Sequence, residues 1–305
     1  MPISRRIFVS LPNPDRLDPR RRAIQDAILA RVRAKGFEIE AFMLHGAAAR
    51  RAWSLDAVAE VMRGCVGALI IGFPRWQRIA EHGTVTTPPA TLPMASEYAQ
   101  VEGAMARALG LSSLFVVEVG LADRGALSPQ GGQVLLFVPP DADTTFLASE
   151  PFARRFDAWA GELAERRDVF LGYSSGARTT AQALNLFLSA RLGLRVLDWA
   201  LDFAAGGMIL DEIAAAAQRC TGGIFLFTQD DALEGSAHRA APRDNVVFEA
   251  GYFAAARGHE RVLIIREEGA KMPADLGGNI YLPLANRHDI APIESAIRDF
   301  VEKRL

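Results

Sequence analysis

MRGCVGALIIGF, from Met62 to Phe73, returns as QRCTGGIFLFT, from Gln218 to Thr228. Each is a polar helix end, a cysteine, a glycine and then a buried apolar strand. Other segments recur in the same order. RRIFVSLP (Arg5 to Pro12) matches RDVFLGYS (Arg167 to Ser174), and GFEIEAFM (Gly36 to Met43) matches GLRVLDWA (Gly193 to Ala200). YAQVEGAMARALGLSSLFVVEVG (Tyr98 to Gly120) matches NVVFEAGYFAAARGHERVLIIREEG (Asn245 to Gly269), and GGQVLLFV (Gly131 to Val138) matches GGNIYLPL (Gly277 to Leu284). Both halves then close on a charged amphipathic helix. Any one match is weak, but the conserved order predicts two domains of one fold, residues 1–165 and 166–305.

Within each half, short apolar or β-branched runs alternate with amphipathic helices. In the second half, VFLGY reads as a strand and TTAQALNLFLSARLG as a helix with a glycine C-cap. LRVLDW, GGIFLFT and RVLIIR read as further strands, with helices from MILDEIAAAAQRC and from about Asn245. Continuous apolar strands are expected where both faces of a sheet are covered. The β-α-β-α order predicts a doubly wound parallel sheet, so the fold class is α/β, two tandem flavodoxin-like domains. Ligands in such sheets bind beyond the carboxyl ends of the strands. No G-x-G-x-x-G follows the first strand of either half, so a nucleotide must be held without that fingerprint.

Composition narrows the class. Half of the 305 residues are hydrophobic and the formal charge is −2, which offers no global pull toward nucleic acid or anionic lipid. No apolar run is long enough to span a bilayer, and the start, MPISRRIFVSLPNP, does not read as a signal peptide. Cys65 and Cys220 make no disulfide framework and read as buried thiols in a reducing cytoplasm. No Cys/His spacing suggests a metal. Arg20-Arg21-Arg22 reads as a solvated run rather than a phosphate site.

Polar residues follow each strand of the second half, where a site must form. Ser174 and Ser175 come after the first, Trp199 and Gly206-Gly207 after the second, and Asp230 with Asp231 after the third, ahead of a polar loop to Arg243. Each has two readings. The serines are favoured N-caps or ligand contacts. The glycines are a turn or a close ligand approach. Asp230 is an ordinary loop residue or a ligand contact, and Trp199 is core or a stacking surface. Asn245 reads as an N-cap or a binding group. Glu249, alone among Val246, Val247, Phe248, Ala250, Gly251 and Phe253, either complements the helix dipole or attacks a substrate.

RDNVVFEAGYFAAARGHERVLII, followed by KMPADLGGNIYLPL, resembles the TIR-like, predicted nucleotide-binding domains of bacteria. Arg243, Asn245, Val246, Phe248, Glu249, Gly251, Tyr252 and Phe253 match one motif. Pro273, Asp275, Leu276 and Gly278, with Gly277 beside it, match a second. DFAAGGMILDEI and Thr228-Gln229-Asp230-Asp231 fit the family's loops, and the likeness covers about Asp168 to Leu284. The turn Gly172-Tyr173-Ser174-Ser175 departs from relatives that carry histidine there.

The resemblance implies a flavodoxin-like fold and cleavage of NAD⁺ between nicotinamide and ribose, in an anti-phage effector triggered by a nucleotide signal or by assembly into a homo-oligomer. NAD⁺ is then substrate, with no further cofactor. Glu249 is implied as the catalytic carboxylate. Ser174, Ser175, Trp199, Gly206, Gly207, Asp230, Arg243 and Asn245 are candidates to hold the nucleotide, Ser174 and Asn245 at the ribose and Trp199 against a ring. One carboxylate suits this chemistry, because nicotinamide leaves neutral and only a ribosyl oxocarbenium ion needs stabilising.

The first half places Glu102 opposite Glu249 and more loosely resembles the nucleoside 2-deoxyribosyltransferase-like group, which implies a nucleophilic glutamate there. A long loop, Pro74 to Tyr98, interrupts that edge, and a regulatory or ligand-sensing role is favoured for this half. Nucleoside deoxyribosyl transfer or hydrolysis, and a nucleotide-binding module without turnover, stay open as alternatives.

Overall fold

The computed structural model describes residues 5–79, 91–131, 133, 135–202, 208–233, 240–276 and 281–305. The chain divides into two compact units between Glu165 and Arg166.

The first unit contains β1 (Arg6–Ser10), α1 (Pro19–Ala34), β2 (Glu38–Glu40), α2 (Leu55–Arg63), β3 (Gly67–Gly72), α3 (Glu97–Ala108), β4 (Ser113–Glu118), β5 (Leu135–Val138) and α4 (Glu150–Ala164). The second contains β6 (Arg167–Gly172), α5 (Arg178–Leu186), β7 (Val196–Asp198), α6 (Ile209–Arg219), β8 (Cys220–Phe227), α7 (Asp244–Arg257), β9 (Val262–Glu267), β10 (Tyr281–Leu284) and α8 (Glu294–Arg304). The five-stranded sheets of the two units are parallel throughout. Their orders, β2-β1-β3-β4-β5 and β7-β6-β8-β9-β10, are the same winding. This is the flavodoxin-like order, which reverses direction between the first and third strands of each unit.

Alternation along the strands supplies a core on each sheet face. In the second unit, Val169, Leu171, Ile224, Leu226, Leu263 and Ile265 pack against α5 and α8, while Phe170, Phe225, Phe227 and Ile264 pack against α6 and α7. The first unit splits in the same way, with Ile7 and Val9 on one face and Phe8 on the other. Each buried large side chain contributes about 1.5–3 kcal/mol. Cys65 and Cys220 are both buried free thiols.

Three sequence readings need correction. α7 begins at Asp244 with Arg243 in the capping position, so Asn245 lies inside the first turn and is not the cap. Trp199 does not end a strand. β7 stops at Asp198, which accepts from the Ala200 N–H at 3.1 Å and turns the chain into a short helical turn, Trp199–Asp202. Nor are Arg20 and Arg21 merely solvated. Both donate to Glu118, a 2% exposed carboxylate at the end of β4, Arg21 through Nε at 2.8 Å and a second nitrogen at 2.6 Å, Arg20 at 3.0 Å.

Glu118 thereby ties the start of α1 to the sheet by charge-assisted bonds. Glu118→Ala is expected to lower the unfolding free energy of the first unit by about 2–3 kcal/mol, read as a fall in its urea midpoint. An unchanged midpoint would show that the two arginines are as well served by water.

Candidate functional site

α7 carries the central side chain. Pro242 precedes it, and Gly258, at φ 99°, ends it. Between them, Val246, Ala250 and Phe253 are buried toward the sheet, and Phe253 stacks on Phe170 at a centroid distance of 4.9 Å. Near the far end, the buried Arg257 guanidinium donates to the Ala217 and Gln218 carbonyls in the last turn of α6. The helix is thus fixed along its length, and Glu249 is carried on the same inward face.

Glu249 is 8% exposed, and its Oε2 has no hydrogen-bond partner among the described residues. Gly172, the last residue of β6, lies beside it: a Cβ built there would fall 2.8 Å from that oxygen and against the Phe225 ring. Burial raises the carboxyl pKa from 4.5 to about 7. A buried, unpaired carboxylate is a costly arrangement, and its position at the carboxyl end of a central parallel strand is where ligands of such sheets sit.

The other candidates fall into two groups. Ser174, buried after β6, donates to Asp230 at 2.6 Å, and Thr228 donates to the same carboxylate at 3.0 Å. Asp230 also accepts from the Arg243 backbone N–H at 3.1 Å, and the Arg243 guanidinium pairs with Asp231 at 3.2 Å. Asp230 therefore clamps three loop segments, those after β6 and β8 and the entry to α7. Ser174 is committed to it and makes no side-chain cap, while Ser175 is exposed. Trp199 is partly buried; its indole N–H donates to the Tyr173 carbonyl at 3.0 Å and its ring lies 5.5 Å from the Tyr173 ring. Asn245 is exposed in the first turn of α7. Gly206 and Gly207 lie outside the described residues.

Sequence reading named Gly172 and Tyr173 only as part of a turn that departs from relatives, and did not single out Glu267. Tyr173 donates to Asp198 at 2.7 Å, which braces the turn after β6. Glu267 ends β9 as Glu118 ends β4, and it accepts from Arg287 and from the Gln229 N–H at 2.8 Å. Gly172 was legible in principle, since the repeat sets it opposite Ser10.

That substitution separates the two glutamates. Glu102, on α3 of the first unit, is hydrogen-bonded by Ser10 and by the Trp53 indole N–H at 2.8 Å. Burial raises its pKa, and these two donors draw it part of the way back. Glu249 has glycine where Glu102 has a hydroxyl. Gly172→Ala is expected to push the Glu249 carboxyl or the Phe225 ring aside and to cost the second unit about 1–3 kcal/mol. Its unfolding free energy measures the effect, and an unchanged value would show slack space at this edge.

Among the described residues, no group of His, Cys, Asp and Glu is placed to hold a metal, and no helix is long and apolar enough to cross a membrane.

Strand order defines the second unit as a flavodoxin-like α/β domain, with a buried carboxyl, Glu249, at the carboxyl edge of its sheet. Residues 168–286 match the family model described as CAP12/Pycsar effector protein, TIR domain. The likeness to the TIR domain of that effector family takes in most of the second unit. CD-NTase-associated protein 12 of Sphingobacterium faecium is 31% identical over 114 residues, 37% of this chain and 35% of that protein. Pycsar effector protein BcPycTIR of Burkholderia cepacia is 33% identical over 84 residues, 27% of this chain and 28% of that protein. Uncharacterized protein YuaY of Escherichia coli K12 is 32% identical over 106 residues, 34% of this chain and 35% of that protein. The matched region spans about a third of the length of these relatives. Among solved structures, the TIR domain of the Toll-related receptor TRR-2 from Hydra magnipapillata is 15% identical, with a TM-score of 0.34, covering 44% of this chain and 98% of that one.

Proposed function

We propose that the second unit hydrolyses the nicotinamide–ribose bond of NAD⁺, with Glu249 as the catalytic carboxylate. The observation that carries this reading is its unpartnered, buried Oε2 beside Gly172. As the C1′–N bond breaks, its electron pair goes to the pyridinium nitrogen and nicotinamide leaves neutral, without a general acid. Positive charge then spreads over C1′ and the ring oxygen, where the Glu249 carboxylate opposes it at low local dielectric. Water adds to C1′ and releases a proton, giving ADP-ribose, nicotinamide and H⁺. Asp230 holds the surrounding loops, Arg243 and Asn245 offer groups at the entry of α7, and Ser174 orients Asp230.

The chain acts as an anti-phage effector in the cytoplasm, switched by a nucleotide signal or by assembly into a homo-oligomer. The names of the relatives, a CD-NTase-associated protein and a Pycsar effector, support the nucleotide trigger. Besides water, NAD⁺ is the only small molecule this chemistry needs. The test is nicotinamide release from NAD⁺ by the purified chain, with candidate cyclic nucleotides and at concentrations that favour assembly. Release that Glu249→Gln abolishes and Glu102→Gln spares supports the reading. Release lost only in Glu102→Gln overturns it.

A further inference from the structure

The first unit contains a cavity of about 490 Å³ at the carboxyl ends of β1 and β3. This is the switch point of its strand order, and the volume suits a small organic ligand. Beside apolar side chains and the exposed Asp15 carboxylate, three kinds of group in its lining bear on a ligand. Glu102, 6% exposed, presents its carboxyl from α3. Trp53 and Tyr98 form an aromatic pair, edge to face at 5.0 Å. Arg16 and Arg75, both exposed, contribute positive charge. The second unit's proposed chemistry uses none of them.

The three kinds of group complement three parts of one molecule. A flat heterocycle gains from an aromatic wall by stacking. A polar edge or sugar hydroxyl finds a carboxyl that can accept from it, or donate to it when protonated. An anionic tail finds two guanidiniums. We infer that the first unit binds a nucleoside monophosphate in this cavity, with the heterocycle against Trp53 and Tyr98, Glu102 hydrogen-bonding to the nucleoside, and the phosphate between Arg16 and Arg75.

The site binds without turnover. Ser10 and Trp53 already hydrogen-bond the Glu102 carboxyl, so its charge is partly spent before a ligand arrives. The equivalent group in the second unit faces Gly172, and its Oε2 has no such donor among the described residues. The two copies of the fold have therefore diverged at one strand-end residue, one toward a carboxyl held by donors and one toward a buried carboxyl left unpaired at Oε2. This inference is independent of the NAD⁺ reading.

The experiment uses the full chain carrying Glu249→Gln, so that no bond is cleaved in the second unit. AMP, GMP, CMP and UMP are titrated by calorimetry, with the matching nucleosides and inorganic phosphate alongside, and amide exchange is followed in parallel. At least one monophosphate is expected to bind below about 1 mM, to slow exchange of Glu97–Ala108, and to leave exchange of Asp244–Arg257 unchanged. Trp53→Ala is expected to weaken it about tenfold or more. Arg75→Ala, at an exposed position that does not threaten folding, is expected to weaken the monophosphate about fivefold while leaving the nucleoside nearly unaffected. Chromatography of the mixture is expected to return the nucleotide intact. Failure of all four to bind overturns the inference, as does binding indifferent to both variants, protection confined to Asp244–Arg257, or phosphate binding as well as the nucleotide. Release of free base, lost in Glu102→Gln, overturns the claim that this site lacks turnover.

Discussion

Nicotinamide release by the triggered Glu249→Gln variant is expected to fall about a hundred- to thousandfold, with NAD⁺ binding changed far less. That magnitude follows from removing one preorganised charge from a water-poor site, where such groups act mainly on the transition state. Glutamine keeps the shape of the side chain and its position beside Gly172, so the loss isolates the charge. The pH profile supplies a second readout. The carboxyl of the unliganded protein titrates at about 7 because burial penalises its charged form, and only the ionised form opposes an oxocarbenium ion. kcat/KM should therefore rise through pH 7 and level off above it. Bound NAD⁺ places a pyridinium beside the group and favours ionisation, so the midpoint for kcat should lie lower. A glutamine variant that keeps its turnover, or a profile flat from pH 5 to 8, would remove Glu249 from the chemistry.

Much of this arrangement was legible because the chain repeats itself. The recurrence around Cys65 and Cys220 anticipates two units, and the uninterrupted runs GALIIG and CTGGIFLF anticipate strands covered on both faces. Glu249 stands out by contrast, as an inward carboxylate on a helix whose neighbouring inward positions are apolar. The contacts that fix the edge of each sheet were less accessible. Glu118 and its partner Arg21 are 97 residues apart, and no local pattern joins them. Trp199 reads as the end of a strand by composition, yet Leu171 pairs with Asp198 and the ladder stops there. The Asp198 side chain then captures the following backbone, a local competition that short polar residues routinely win. The cap of α7 lies two residues before Asn245, at Arg243, so that Asp244 takes the first helical position. Gly172 illustrates a subtler limit. Glycine at a strand end has many ordinary explanations, and only the Ser10 contact in the sister unit gives its missing side chain a meaning.

The same Glu249→Gln variant should also be more stable than the parent at alkaline pH. The sign follows from proton linkage. The folded carboxyl titrates at about 7 and the unfolded one near its ordinary 4.5. Below 4.5 both states are protonated and the group adds no penalty. As pH rises through this window the unfolded chain ionises first, so folding stability declines, and above about 7 the decline is complete at about 3 kcal/mol. Glutamine has no charge to desolvate and avoids this loss. At pH 8 the variant is thus expected to gain about 3 kcal/mol in the second unit, worth several degrees in its melting temperature, and at pH 4.5 to gain almost nothing. Amide exchange of β8 under urea, at both pH values, separates this unit from the first. A purely structural glutamate gives the opposite result, because a carboxylate that held a helix start or a loop would leave unsatisfied donors when replaced. Loss of stability at both pH values would show such a role. Activity lost together with stability gained is the signature of a charge kept in place against the interests of the fold, and it has a physical rationale only if a cation comes to meet it.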